Sequence, residues 1–402
     1  MSKRAAPLKI PEFVCLLALM GSIVALSIDA VLPALAEIGG DLALDNPNDA
    51  QLIVSIMFLG LAVGQVFAGP LSDSFGRKPV IYVGYIIFIL GCVLSMLAES
   101  FAVMLAGRFL QGLGASAPRT VSVALVRDGY EGSAMARIMS IVAAIFIFVP
   151  TIAPAIGQAV LLFLHWRAIF ALLLVTALVA FAWFAVRQPE TLVPEARRPF
   201  ALSDIATGTR DVLGRRQVLG YTIALGIMLG AFIGYLSSAQ QVFQVVFSKG
   251  NWFAFYFGVA SLAIGSASVF NARVVVRKGM SYMTSRALVV VTVVSALYLP
   301  VVVLCDGVPP LWSFMVWLLL SMFCHGILFG NFNSLAMEPI GHIAGLGAAV
   351  VGSLSTLIAL PLGWSIGAAF DGTLQPLVAG FAMTGTLAIV VTRWTERTPV
   401  AA

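Results

Sequence analysis

Three charged residues lie inside apolar runs long enough to cross a bilayer: Asp29, Arg108 and Arg119. A charge at that depth costs several kcal/mol, roughly 2.5 to 3.5 on insertion scales, so it normally faces a protein interior or a wet cavity and finds a partner. Asp29 and Arg108 each fall about six residues below the outer end of their run, which places both roughly 9 Å deep from the same side. An acid and a base at one depth in one bundle are natural partners. Apolar surroundings favour the neutral acid, and a neighbouring guanidinium favours the carboxylate. A balance between the two can let a proton come and go near neutral pH. Asp29 is therefore the candidate proton carrier, or contact for a cationic substrate, with Arg108 tuning it. The competing reading is a fixed ion pair that fastens two helices together. Arg119 lies about 16 Å further along the helix than Arg108 and only about 20° round it, so the two share a face. It can attract an anionic or carbonyl-rich substrate, or it can snorkel to the cytoplasmic headgroups.

The elements that must hold these residues follow from composition. Sixty per cent of the chain is hydrophobic and ten per cent charged, against about 25% charged in a soluble domain. This is a multi-pass membrane protein. About 20 apolar residues span a hydrocarbon core. On that ruler the sequence predicts twelve spans: 13–35, 50–70, 80–98, 102–126, 138–164, 166–186, 218–247, 252–272, 287–305, 311–337, 343–370 and 374–392. Of 23 Lys and Arg, 19 fall before the first span, after the last, or in the even-numbered connections; only Arg167 and Lys249 lie on the other side. Positive loops stay inside, so both termini are expected in the cytoplasm. The net charge of +5 is thus a topology signal and no sign of nucleic-acid binding. Cys15, Cys92, Cys305 and Cys324 show no pairing or metal spacing, and no metal site is expected.

The longest connection runs from Arg187 to Arg216 and carries Pro189, Pro194 and Pro199. It divides the chain into an N-terminal six-helix bundle (1–187), a cytoplasmic linker (188–216) and a C-terminal six-helix bundle (217–402). Six plus six around a polar linker is the plan of transporters built from repeats, with a substrate site near mid-membrane. An internal echo supports duplication. Gly69-Pro70-Leu71-Ser72-Asp73-Ser74-Phe75-Gly76-Arg77-Lys78 follows span two, and the degenerate Asn271-Ala272-Arg273-Val274-Val275-Val276-Arg277-Lys278-Gly279 follows span eight. Asp73 is placed to accept from Arg127 at the end of span four, or from the start of span three. Such a pair can hold one state of a rocking protein and release in the other; the alternative is a plain anchor of positive charge. Pro150, Pro154 and Gly157 can bend or thin span five. Gln240 and Gln241 in span seven, and Asn331 and Asn333 in span ten, can line a cavity or glue helices together.

Several of these stretches resemble the major facilitator superfamily. Gly69-x-Leu71-x-Asp73-x-x-Gly76-Arg77-Lys78 is similar to its loop motif between spans two and three, with Ser74 where a basic residue is usual. Arg108-x-x-Gln111-Gly112-x-Gly114-Ala115-Ser116 resembles the span-four motif associated with proton coupling, and brings Gln111 into the candidate cavity. Pro150-x-x-Ala153-Pro154-x-x-Gly157-Gln158 resembles the span-five antiporter motif, with Ala153 and Gln158 in place of two glycines. Asp29-Ala30-Val31-Leu32-Pro33-Ala34-Leu35 and Arg127-Asp128 resemble the bicyclomycin/chloramphenicol-resistance (Bcr/CflA) branch of drug:proton antiporters.

The resemblance implies an all-α membrane protein with twelve transmembrane helices in two pseudo-symmetric six-helix bundles. It implies no enzyme and no cofactor, but export of small hydrophobic drugs or toxic metabolites driven by the proton gradient. The expected partners are a small-molecule substrate, protons and the lipid bilayer, with a functional monomer in the cytoplasmic (inner) membrane. Gly69, Asp73, Gly76, Arg77, Lys78 and Arg127 would gate it. Two other readings stay open: a dedicated carrier of one metabolite, such as an anion bound by Arg108 and Arg119, and a non-transporting sensor.

Overall fold

The structure, a computed structural model, describes residues 8–397 apart from Arg198; Lys3, Arg4 and Arg198, counted above for orientation, lie outside the described residues. Those residues form helices and turns, with no strand among them. In chain order the helices are α1 (Ile10–Asp29), α2 (Leu35–Asp41), α3 (Leu52–Phe75), α4 (Arg77–Met96), α5 (Phe101–Gly129), α6 (Gly132–Leu161) and α7 (Arg167–Arg187), then the linker helix α8 (Leu202–Gly214). They continue with α9 (Arg216–Gln241), α10 (Phe253–Lys278), α11 (Met280–Leu304), α12 (Leu311–Met337), α13 (Ala344–Ala368) and α14 (Gln375–Glu396). Ten stretches are long and apolar enough to cross a membrane by length and composition alone. The remaining two of the expected twelve are α5 and α6, of 29 and 30 residues. In α5, Arg108, Gln111 and Arg119 interrupt the apolar run that its length would otherwise supply.

Span one is broken. It comprises α1, a turn at Ala30 and Val31, a 3-10 turn at Leu32–Ala34, and α2. Pro33 accounts for the break: it has no N–H to give to the carbonyl of Asp29 four residues back, and its ring crowds that carbonyl. Asp29 is consequently the last residue of α1. Gly157 of α6 packs on this break, where a Cβ would stand 2.0 Å from the carbonyl oxygen of Ala30.

Two compact units emerge. The first is Met1–Val31 with Ile56–Ile205, the second Leu32–Ser55 with Ala206–Ala402. These bounds differ from the expected 1–187 and 217–402 in one instructive respect, since 32–55 clusters with the second unit. The cause is a set of amides. Gln51 Nε2 donates to Gln241 Oε1 (2.7 Å) and to the Gly367 carbonyl (3.0 Å). Gln241 Nε2 donates to Asn48 Oδ1 (2.7 Å), and Asn48 Nδ2 to the carbonyls of Ala368 and Phe370. Gln240 Nε2 reaches the Pro33 carbonyl (3.2 Å).

In the first unit α4 packs along α5 and α7, and α1 along α6. In the second, Gly226, Gly230 and Gly234 of α9 lie against Ile358, Leu362 and Ile366 of α13. The internal echo survives in the backbone. Gly76 starts α4 at φ +106°, and Gly279 starts α11 at φ +83°. Both are left-handed turns that favour glycine, at matching places in the two halves.

Candidate functional site

The first unit holds the ionisable residues. Asp29 is buried, and its side chain makes no hydrogen bond or ion pair with a described residue. Arg108, fully buried, donates to Gln111 Oε1 and lies 5.9 Å from the Phe170 ring centroid. Gln111 in turn donates to Ser95 Oγ at 3.3 Å. The expected pair of Asp29 with Arg108 is therefore not formed; no ion pair within 4.0 Å links them. Equal depth was the wrong criterion. Arg108 is turned to α7 and to its own helix, whereas Asp29 caps the broken end of α1. Gln111, expected in a cavity, is occupied by Arg108 and Ser95.

Arg119 stands differently. Arg108, Gly112 and Ala115 share its face of α5 and are buried, but Arg119 and Val123 are exposed. The face is closed in the first half of α5 and open in the second. Arg119 has no hydrogen bond or ion pair to a described residue.

At the end of α5 away from Arg108 a second cluster forms, and it decides between the two donors expected for Asp73. Asp73 does not accept from Arg127, which is exposed; it accepts from Arg77 Nη1. Arg77 is 3% exposed and holds three side chains: Asp73, Asp128 (Nε to Oδ2, 2.9 Å; Nη2 to Oδ1, 3.4 Å) and Ser72 Oγ (2.8 Å). The ends of α3, α4 and α5 are thus tied by one guanidinium. The reason lies in the chain direction: Asp128, one residue past Arg127, points back under α4. Thr191 Oγ1 also donates to Asp128 (2.9 Å), and Lys78 Nζ donates to the Ala185 carbonyl (2.8 Å).

The linker supplies an unexpected third acid. The backbone N–H groups of Arg77 and Lys78, the first of α4, donate to Glu190 Oε1 and Oε2 at 3.0 and 2.9 Å. A carboxylate there satisfies helix-end donors and opposes the helix dipole. Gly76 is favoured by its φ of +106°, and a Cβ there, 2.7 Å from Glu190 Oε2, would displace that carboxylate. Gly69 has no such role, since a Cβ there meets nothing within 4 Å. Losing one cap costs about 1 kcal/mol, so Glu190→Gln is expected to lower stability by that order while leaving the fold intact. Thermal unfolding in detergent measures it, and an unchanged midpoint would deny Glu190 this role.

The amides expected in a cavity are otherwise engaged in the second unit. Gln240 and Gln241 bind Pro33, Gln51 and Asn48 as above. Asn331 pairs reciprocally with Asn271 (2.9 and 3.1 Å), which fastens α12 to α10. Asn333 is exposed. Pro150 and Pro154 lie within a continuous α6. Sequence reasoning gave no site role to Asp128, Glu190, Asn48, Gln51 and Asn271. Asp128 stood in the Arg127-Asp128 pair and Asn271 opened the internal echo; Glu190, Asn48 and Gln51 meet partners far along the chain and carry no local signal.

Comparison with known proteins agrees with this geometry. A family model described as the Major Facilitator Superfamily matches residues 17–368. An uncharacterised MFS-type transporter of Bacillus subtilis, YdgK, is 30% identical over 349 residues, covering 85% of this chain and 84% of its own. A bicyclomycin resistance protein homolog of Haemophilus influenzae is 28% identical over 367 residues, 91% of each chain. Among solved structures, a D-xylose-proton symporter superposes with a TM-score of 0.75 at 12% identity, covering 96% of this chain and 97% of its own, a likeness of fold.

Proposed function

Because the chain belongs to the Major Facilitator Superfamily, we propose that this membrane transporter exports small, rather hydrophobic compounds in exchange for protons, by alternating access. It is a transporter and no enzyme. The proton gradient drives it without a cofactor, and it works as a monomer in the cytoplasmic membrane with both termini inside. The kinship with a bicyclomycin resistance homolog supports efflux and a drug-like substrate range.

One observation carries the proton coupling: Asp29 is a buried acid without a cation partner among the described residues. Burying an unpaired carboxylate is expensive, and burying the neutral acid is far less so. The end of α1 adds to this, because helix C-termini are negative and disfavour a second negative charge. A proton on Asp29 is then a condition for closing that region, and its departure a condition for opening it. Arg108 lies outside this step, since it is held by Gln111 and Phe170.

The test is a proteoliposome with a trapped pH-sensitive dye, an imposed proton gradient and one candidate compound at a time. Wild type is expected to show compound-dependent proton flux and Asp29→Asn none. Equal flux in both would remove Asp29 from the mechanism. Transport of a single metabolite and of no drug would favour the dedicated carrier.

A further inference from the structure

We propose that Arg119 receives a negatively charged group of the transported compound, a carboxylate carried on an apolar body. This deepens the transporter reading and rests on it. The first support is charge balance. Within the apolar runs expected to span the membrane, the described residues include one acid, Asp29 at the end of α1, and two bases, Arg108 and Arg119 inside α5. Asp29 meets neither base within 4.0 Å, so it neutralises neither.

The second support is division of labour between the arginines. Arg108 is fully buried, bonded to Gln111 and seated over Phe170. It is structural. Arg119 has no such engagement with a described residue, and it is exposed.

The third support is direction. Lipid gives a guanidinium nothing to bind, so the side it faces matters. Ala102 and Ala106, exposed in the outer half of α5, lie roughly 100° and 140° round the helix from Arg119. Gly112, about 20° away, is packed so closely on α3 that a Cβ would stand 1.9 Å from the Met57 carbonyl. Arg119 therefore continues the packed face of α5 into the stretch where that face opens, away from the side bared in the outer half. An unneutralised guanidinium in such a place presents a planar fork that matches a carboxylate with two parallel hydrogen bonds. The apolar wall of Val123 on the same face suits the body of the compound.

The experiment measures binding of naphthoate and of its neutral amide, naphthamide, by calorimetry on the full chain in lipid nanodiscs. Hydrogen bonds to charged groups are worth about tenfold to hundredfold in affinity. Wild type is expected to prefer naphthoate by at least about tenfold. Arg119→Gln is expected to erase the preference, and Arg119→Lys, which keeps the charge without the fork, to retain part of it. Equal affinity for both probes in wild type, or binding of neither, overturns the proposal even if a variant fails to fold. So does a preference that survives in folded Arg119→Gln. Flux in proteoliposomes separates this from the transporter reading. Carboxylate preference without flux of any compound sinks transport and leaves Arg119 standing. Proton-coupled flux of neutral compounds without carboxylate preference sinks Arg119 alone.

Discussion

Replacing Arg77 with Met is expected to abolish transport and to destabilise the joined ends of α3, α4 and α5 by about 1.5–3 kcal/mol, the scale of hydrogen bonds to charged groups where the acids left behind are partly solvated. The variant removes hydrogen bonds to Asp73, Asp128 and Ser72 at once. It also leaves two carboxylates near one another without their cation, which repel. Arg77→Lys keeps the charge and three donors but gathers them at one point, without the fork that spans groups on two helices; it is expected to fall between. Adding Asp128→Asn to Arg77→Met removes one of the stranded charges and is expected to recover part of the stability but none of the transport. Thermal unfolding in detergent and flux in proteoliposomes read the two effects. An Arg77→Met protein that unfolds and transports like wild type would show the cluster to be ornamental.

The second large effect is expected from the smallest substitution. In Gly157→Ala the added methyl carbon would stand 2.0 Å from the carbonyl oxygen of Ala30, with backbone on both sides and no flexible side chain to yield. Overpacking of this kind costs about 1–3 kcal/mol. Here it also forces α6 off the break that follows Asp29. Transport is expected to fall by more than about tenfold, while the protein still folds, because the strain lands on the candidate proton site and not on a whole core. Gly330→Ala is the control: it sits inside α12 with nothing within 4 Å of its added carbon, and Ala is the better helix former. Equal activity in both variants would mean that α6 can move aside freely at Ala30.

Much of the fold was open to a reader of the sequence because hydropathy and loop charge act locally. Every expected span corresponds to a helix. Gly76 between α3 and α4 and its echo at Gly279 were legible because a left-handed turn favours one residue type. The echo is a turn and no more, for a Cβ at Gly279 meets nothing within 4 Å where one at Gly76 meets Glu190. The pairings were less open. Depth along a helix is readable from 1.5 Å per residue, but the direction a side chain takes depends on neighbours. Depth alone therefore joined Asp29 to Arg108, and position alone left Asp73 between Arg127 and the start of span three, where Arg77 is its partner. Glu190 meets α4 across 113 positions of chain, and Gln51 meets Gln241 across 190. No local pattern in one sequence carries contacts of that kind.

The membership of Leu32–Ser55 in the second unit has a consequence for connectivity. The chain passes from one unit to the other three times, after Val31, after Ser55 and after Ile205. Any displacement of one unit against the other must bend the backbone at all three junctions together, as a door bends on three hinges and not one. The first junction falls beside the unwound stretch at Ala30–Ala34, where the backbone ladder is already interrupted. A protease cut in the linker would sever only the third. The fragment ending there would still carry Asn48 and Gln51, whose hydrogen-bond partners lie at Gln241 and at Gly367–Phe370 in the other fragment.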